Sequence, residues 1–137
     1  MTEPYSRLVR PPAPKLFVRL RSTVRDQSTG PLTALVDTGA DATIAPLSHL
    51  LEIGAEETAP GWLRGVMRER QPVRLYFVDI QIGNLTFPGV RVIGNPLTED
   101  ILLGRDVLNK LPLFLDSPQQ QTDLLDEAAA NRLRARR

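Results

Sequence analysis

The sequence contains no cysteine and a single histidine, and these two shortages exclude several kinds of site. Without cysteine the chain has no disulfide, no thiolate metal ligand and no cysteine nucleophile. A single histidine argues against a histidine-rich metal centre and against a Ser-His-Asp triad. His49 lies in the stretch APLSHLLEIG, which is typical of a short helix, and we interpret it as a solvated helix residue.

The chain also lacks an excess of charge of one sign, because 17 basic and 16 acidic side chains leave a formal net charge of +1. Such a balance creates no overall field that would attract nucleic acid or an anionic membrane. No apolar run approaches the length that spans a bilayer, and the polar, proline-rich beginning MTEPYSRLVRPPAPK differs from a signal peptide. We therefore expect a cytoplasmic protein with neither a membrane nor a nucleic acid as its partner.

The length of 137 residues suits one domain with a real core and is too short for two substantial lobes. Four prolines in residues 1–14 predict an extended arm with little hydrogen bonding of its own. Residues 15–116 form the predicted domain, and its β core is expected to end at Asp116. Residues 117–137 differ in composition and are interpreted either as a helix capped by Asp123 or as a frayed tail.

Hydrophobic periodicity between the arm and the tail predicts a mainly β domain. KLFVRLR, residues 15–21, alternates apolar and basic side chains as a half-buried strand does, and LTALVD is a second, more apolar strand. Short helices are predicted in PLSHLLEIG and from about Arg105 to Asn109. Several further short strands, separated by Gly and Pro turns, point to a closed barrel or a sandwich.

The stretch ALVDTGADATIAP, residues 34–46, leads an apolar strand directly into Asp37, Thr38 and Gly39. The plain interpretation is a turn, because Asp hydrogen-bonds its own backbone and Gly tolerates positive φ. The catalytic interpretation needs two carboxylates that share a proton, so that one acts as a base on water and the other as an acid toward a carbonyl oxygen. Since the chain has one such triplet, a two-fold symmetric dimer is the simplest source of the second carboxylate.

Two separated segments, LVDTGADAT and ILLGRDVL, resemble the two signature segments of the retropepsins, the retroviral-type aspartic proteases with bacterial and eukaryotic single-domain relatives. By order and spacing of elements the resemblance covers residues 15–116. It implies a single-domain closed β-barrel or sandwich with a flap hairpin and a short helix, acting as a homodimer. It further implies an aspartic endopeptidase that uses no metal or organic cofactor and takes a peptide or an unfolded protein as substrate.

The first of these segments supplies the residues with catalytic roles in the family. By resemblance, Asp37 matches the catalytic aspartate and Thr38 the threonine that interlocks the two subunits. Gly39 matches the glycine whose carbonyl receives the substrate backbone.

The resemblance assigns supporting roles to residues of both segments. Asp41 matches a residue that hydrogen-bonds the substrate main chain, and Arg105 matches the arginine that pairs with it and reaches across the dimer. The alternative is an ion pair that only holds two loops together. We give the two interpretations equal weight for Asp41 and prefer the structural one for Arg105. Ala40 and Gly104 are expected to support the site structurally.

The resemblance also implies a flap, a hairpin that closes over the substrate, within PGWLRGVMRERQPVRLYF. We place its tip near Arg64 to Arg70, with Gly65 as the substrate-binding glycine. The sequence departs from the family here, because the usual run of glycines is reduced to Gly65 among bulky and charged residues. We interpret Trp62 as a core residue at the base of the flap, with a wall of the substrate groove as the alternative.

Two other functions stay open at the level of the sequence. The atypical flap would suit a retropepsin-fold module that binds peptides or dimerises with weak or no turnover. The arginine-rich end ANRLRARR would suit a nucleic-acid adaptor, although the near-neutral charge and the lack of interleaved aromatic residues argue against it.

Overall fold

The computed structural model describes residues 1–64 and 69–136, with the side chain of Arg64 outside the description. The elements, in chain order, are β1 (Thr2–Pro4), β2 (Lys15–Ser22), β3 (Leu32–Val36), β4 (Ile44–Pro46), α1 (Leu47–Glu52), β5 (Glu56–Glu57), β6 (Gly61–Arg64), β7 (Arg70–Ile82), β8 (Leu85–Asn95), β9 (Ile101–Leu103), α2 (Arg105–Leu108), β10 (Leu113–Asp116), β11 (Gln121–Leu124) and α3 (Glu127–Arg134).

Six strands close into a barrel in the order β2, β3, β9, β4, β8 and β7, because β2 also pairs with β7. Strand β2 shows why the sequence folds this way: Leu16, Val18 and Leu20 are fully buried, and the residues between them are exposed. The strand predicted at residues 15–21 is confirmed and extends to Ser22. The predicted mainly β, closed architecture is confirmed as well.

The barrel encloses one continuous apolar core, whose largest fully buried side chain is Tyr76 of β7. The two short helices predicted from the sequence are both present. Helix α1 follows Pro46 and ends before Gly54, which has the positive φ of 63° that stops the helix. Helix α2 has one turn and begins at Arg105.

A second, smaller sheet has the strand order β1, β11, β10. It corrects the prediction of an arm with few hydrogen bonds, since Thr2 to Pro4 pair with Asp123 to Gln121. Strand β11 also extends the β structure beyond Asp116, where the core was predicted to end. Composition missed this strand because three of its four residues are polar and one of its two partners, β1, lies at the opposite end of the sequence.

Helix α3 bears out the helical interpretation of the tail and corrects its start. The N-cap is Asp126, whose carboxylate accepts a hydrogen bond from Ala129 N–H at 2.7 Å. Asp123, the predicted cap, lies in β11, where it accepts a hydrogen bond from the Thr2 hydroxyl. Within residues 1–64 and 69–136, no helix is long and apolar enough to cross a membrane.

Strand β6 and residues 70–73 of β7 form a hairpin, called here the projecting hairpin. The predicted substrate-binding Gly65, and most of the predicted flap tip with it, lies outside the described residues. The interpretation of Trp62 as a core residue is wrong, because 64 % of it is exposed. Its ring is instead covered in part by the Arg70 guanidinium, 5.5 Å from the ring centroid.

Candidate active site

Asp37 directly follows β3, at the edge of the barrel where the parallel strands β3 and β9 both end. Its N–H donates to the carbonyl of Leu103, the last residue of β9, at 3.0 Å. The residue is half-buried, and its carboxylate Oδ1 accepts a hydrogen bond from Gly39 N–H at 3.0 Å. The triplet therefore does form a turn, and that turn fixes the carboxylate at the end of an apolar strand.

Gly39 is the residue that permits this tight arrangement. A Cβ at this position would lie 3.2 Å from Asp37 Oδ1, closer than an ordinary van der Waals contact. Thr38 and Gly39 are both exposed, whereas Ala40 is half-buried and its N–H donates to the Asp37 carbonyl at 3.2 Å. The loop that begins at Asp37 and runs to Thr43 is called here the site loop.

Gly104 brings the second signature segment against the site loop. A Cβ there would lie 2.6 Å from the carbonyl carbon of Ala42 and 2.7 Å from its oxygen, so a larger residue would collide with backbone. The next residue, Arg105, donates its N–H to the Ala40 carbonyl at 2.8 Å. The two segments are thus in direct contact, as expected for residues that support one site.

The Arg105 guanidinium fastens the site loop at two points. It donates to the Thr38 carbonyl at 2.7 Å and forms an ion pair with the Asp41 carboxylate. The predicted pairing of Asp41 with Arg105 is therefore present within one chain. Because 88 % of the Asp41 side chain is exposed, solvent screens this pair, and its main effect is to orient the loop.

Sequence reasoning missed a buried polar pair beneath the loop. Thr43 is fully buried, and its hydroxyl donates to Asp106 Oδ1 at 2.8 Å and accepts from Gly104 N–H at 3.1 Å. Asp106 Oδ2 also accepts from the N–H of Thr43 at 3.1 Å. An Asp in the first turn of α2 was the available signal, because a carboxylate is favourable there, but only the fold identifies its partner.

The carboxylates around the site loop differ in their partners. Asp41 is paired with Arg105 and Asp106 is hydrogen-bonded to Thr43, whereas Asp37 takes part in none of the ion pairs among the described residues. The described part of the chain also contains no group of three or more His, Cys, Asp or Glu side chains that could hold a metal ion. The chemistry available at Asp37 is therefore that of a carboxyl group held by backbone.

The barrel, the projecting hairpin and the one-turn helix behind the site loop define the class: this is the fold of the retropepsin-like aspartic proteases. A retropepsin-like aspartic protease from Rickettsia conorii superposes with a TM-score of 0.58 at 14 % identity, covering 90 % of this chain and 88 % of that one. EIAV protease, in complex with the inhibitor HBY-793, gives a TM-score of 0.55 at 22 % identity and coverages of 72 % and 86 %. Simian foamy virus protease gives 0.50 at 16 %, with coverages of 69 % and 91 %.

Sequence comparison gives the family independently of the fold. The model of the family described as Aspartyl protease matches residues 21–107, which is more than half of the chain. The chain belongs to the aspartyl protease family. A comparison with curated proteins finds no match.

Proposed function

We propose that this chain is an aspartic endopeptidase that works as a homodimer, in which each copy supplies Asp37 to a catalytic pair. The observation that supports this most strongly is the Asp37 carboxylate itself. Asp37 is a half-buried residue at the end of an apolar strand, and its carboxylate is held by Gly39 N–H and has no ion-pair partner among the described residues. A carboxylate that is held by backbone and paired with no cation is available for acid–base chemistry.

In the proposed reaction one Asp37 is ionised and its counterpart is protonated. The ionised carboxylate takes a proton from a water molecule, whose oxygen attacks the peptide carbonyl carbon, while the other carboxyl gives its proton to the carbonyl oxygen. In the collapse of the tetrahedral diol, the carboxyl that took the proton from water gives it to the amide nitrogen, the other carboxylate takes a proton from a diol hydroxyl, and the C–N bond breaks. No covalent bond to the enzyme forms at any step.

We infer a second copy because, among the residues that the structure describes, the carboxylates nearest to Asp37 along the site segments already have partners. The neighbouring carboxylates of Asp41 and Asp106 are already engaged by Arg105 and Thr43. Cavities of about 410, 620 and 520 Å³ lie elsewhere on the chain, and none of these three is lined by Asp37. A peptide groove formed between two copies fits both observations.

The other site residues take the roles expected from the resemblance. Exposed Thr38 would interlock with its symmetry mate through a hydroxyl that both donates and accepts. The Gly39 carbonyl and the exposed Asp41 carboxylate would bind the main chain of an extended peptide. Arg105, Gly104 and Ala40 would hold the loop in place without touching substrate.

The free edge of β10 is the surface we propose for the dimer contact. The Pro112 carbonyl accepts a hydrogen bond from Leu125 N–H at 2.9 Å, so the backbone of Pro112 faces the side of β11. Successive residues of an antiparallel strand direct their backbone groups to alternate sides of the strand. Phe114 and Asp116 therefore direct their backbone groups toward β11, while Leu113 and Leu115 direct theirs to the free edge. Two antiparallel copies of β10 related by a two-fold axis would satisfy these groups reciprocally.

The opposite edge of the small sheet is less suited to pairing. Strand β1 has three residues and includes Glu3 and Pro4, both of which discourage edge-to-edge contact. Strand β10 has neither proline nor lysine, and its Phe114 and Leu115 are 48 % and 39 % exposed. A second copy of this chain is thus the partner that β10 fits.

The experiment is a cleavage assay on an unfolded protein, reduced and alkylated serum albumin, across pH 4 to 7. We expect the wild-type chain to cleave it with a bell-shaped pH profile below neutrality, because the pair must hold one proton. Asp37→Asn should fold and dimerise without measurable cleavage. Asp26→Asn is the matched control, since Asp26 is a 97 % exposed carboxylate in the turn between β2 and β3.

Two results would contradict the proposal. Cleavage at a wild-type rate by Asp37→Asn would remove Asp37 from the chemistry. Saturable binding of the unfolded protein by the wild type, with no cleavage at any pH, would make the chain a peptide-binding module.

A further inference from the structure

The projecting hairpin joins the barrel at a sharply defined point on β7. Residues 70–73 of β7 pair with β6, and from Arg74 onward the same strand pairs with β8, beginning with Arg74 opposite Gly94. The hairpin therefore leaves the barrel between Val73 and Arg74. Any interaction that fixes Arg74 also fixes the direction in which the hairpin projects.

Glu57 makes that interaction from the opposite side. It belongs to the two-residue strand β5, which pairs with Tyr76 and Phe77 and lies just before the hairpin. Its Oε1 accepts three hydrogen bonds: from Arg74 Nε at 2.9 Å, from Arg74 Nη2 at 2.6 Å and from the Tyr76 hydroxyl at 2.8 Å. One carboxylate oxygen thus joins the segments that enter and leave the hairpin.

Tyr76 gives this cluster a rigid foundation. It is 1 % exposed, and its ring fills the space beside Gly94, where a Cβ would lie 2.8 Å from Tyr76 Cε1. The Arg74 guanidinium lies 5.6 Å from the centroid of the same ring. The buried ring cannot shift without disturbing the core, so the Glu57 carboxylate is tied to a fixed point.

The protonation behaviour agrees with the geometry. Hydrogen bonds from Arg74 and then Tyr76 lower the pKa of Glu57, so its carboxylate stays ionised under mildly acidic conditions. Burial, followed by the bond to Glu57, raises the pKa of Tyr76, so its hydroxyl remains a donor. Both groups keep the forms that the cluster requires at the pH where cleavage is expected.

We infer that Glu57 is a positioning residue that, through Arg74 and Tyr76, sets the orientation of the projecting hairpin over the substrate groove. This inference rests on the proposed function and on the family resemblance, which implies a flap hairpin over the substrate. Glu57 does not touch the substrate. Its loss leaves the barrel and Asp37 in place and allows the hairpin to take other directions.

The matched pair of variants is Glu57→Gln and Glu56→Gln. Glu56 is the neighbouring exposed residue of the same short strand, and it forms none of the ion pairs within the described part of the chain. A third variant, Tyr76→Phe, removes only the hydroxyl and keeps the ring in the core, so it replaces Glu57→Gln should that variant fail to fold.

The first measurement is amide hydrogen exchange over residues 61–64 and 69–73, which requires no activity. We expect faster exchange there in Glu57→Gln and in Tyr76→Phe than in the wild type or Glu56→Gln, with exchange in the barrel strand β2 unchanged. Exchange that is equal in all four proteins would overturn the positioning role.

The second measurement is steady-state cleavage at a temperature where every variant is folded. A misplaced hairpin loses contacts made alike in the ground and transition states, so Glu57→Gln should raise KM on the order of tenfold with a smaller change in kcat. A lowered Tm with unchanged KM would mean that the cluster serves stability only and would refute the inference. If the wild-type chain cleaves nothing, the proposed function fails, while the exchange measurement still decides whether Glu57 holds the hairpin.

Discussion

At the scale of single residues, Gly104 decides how closely the two signature segments approach. Its φ of −91° and ψ of −179° are accessible to any residue, so conformational freedom is not the reason for glycine here. The reason is the missing side chain, because a Cβ would lie 2.6 Å from the Ala42 backbone. The hydrogen bonding of Thr43 with Asp106 depends on the same close approach, since the Thr43 hydroxyl also accepts a hydrogen bond from Gly104 N–H.

Gly104→Ala should therefore destabilise the fold by about 1–3 kcal/mol, the usual cost of forcing extra volume into a packed site. Gly30→Ala is the control, because nothing lies within 4 Å of a Cβ built there. Urea unfolding followed by circular dichroism measures both. Equal urea midpoints of unfolding for the two variants would show that the site loop shifts readily to accommodate a Cβ and that Gly104 has no special packing role.

Trp62 shows that the residue type alone can predict the wrong burial for a single side chain. A single tryptophan is usually placed in a core, since it has the largest apolar surface to bury. Here it lies on β6 of the projecting hairpin, and the Arg70 guanidinium of the adjacent strand covers part of its ring. Propensity could not predict this exposure, because it depends on the position of the hairpin relative to the barrel.

At the scale of elements, the small sheet makes the two ends of the described chain interdependent. Strand β11 lies between β1 and β10 and hydrogen-bonds to both. Fully buried Thr122 belongs to β11, whereas α3 buries only Ala130. The tail is therefore two elements with different importance, a central strand and a peripheral helix.

Truncation after Gln120 should accordingly lower Tm strongly, because it leaves both β1 and β10 without a partner. Truncation after Leu125 removes α3 and keeps β11, so we expect a much smaller loss. Thermal unfolding of the two shortened chains and the full chain provides the comparison. A truncation after Gln120 that melted like the full chain would contradict the structural importance of β11.

At the scale of the whole molecule, the proposed catalytic unit is a pair of chains joined at β10. Specific activity should therefore fall on dilution below the dimer dissociation constant, in parallel with the loss of the dimer in sedimentation velocity. Activity in a species shown to be monomeric would refute the dimeric mechanism.

Two proline variants directly test whether the free edge of β10 forms the dimer contact. Leu115→Pro removes an N–H that is inferred to face the free edge, so it should weaken the dimer and leave the monomer folded. Phe114→Pro removes an N–H directed toward β11 and should instead destabilise the fold. A Leu115→Pro protein with undiminished dimer affinity would exclude β10 as the contact.

The sequence by itself determined the parts that depend on local chemistry. Alternation in KLFVRLR specifies a strand with one buried face. Pro46 and Gly54 bound α1, because proline has a fixed φ and glycine readily adopts the positive φ that ends a helix. The segments LVDTGADAT and ILLGRDVL identified the family and the loop that carries Asp37, since both motifs are contiguous in the chain. The pairing of Asp41 with Arg105 followed from the same resemblance.

Only the tertiary structure decided contacts between residues that are distant in sequence. Thr43 and Asp106 are 63 residues apart, and Thr2 and Asp123 are 121 apart, so no local pattern links either pair. The Glu57 cluster likewise forms because β5 returns beside β7. Such polar contacts are set by how elements that are distant in sequence pack against one another, which the sequence pattern of a single segment does not specify.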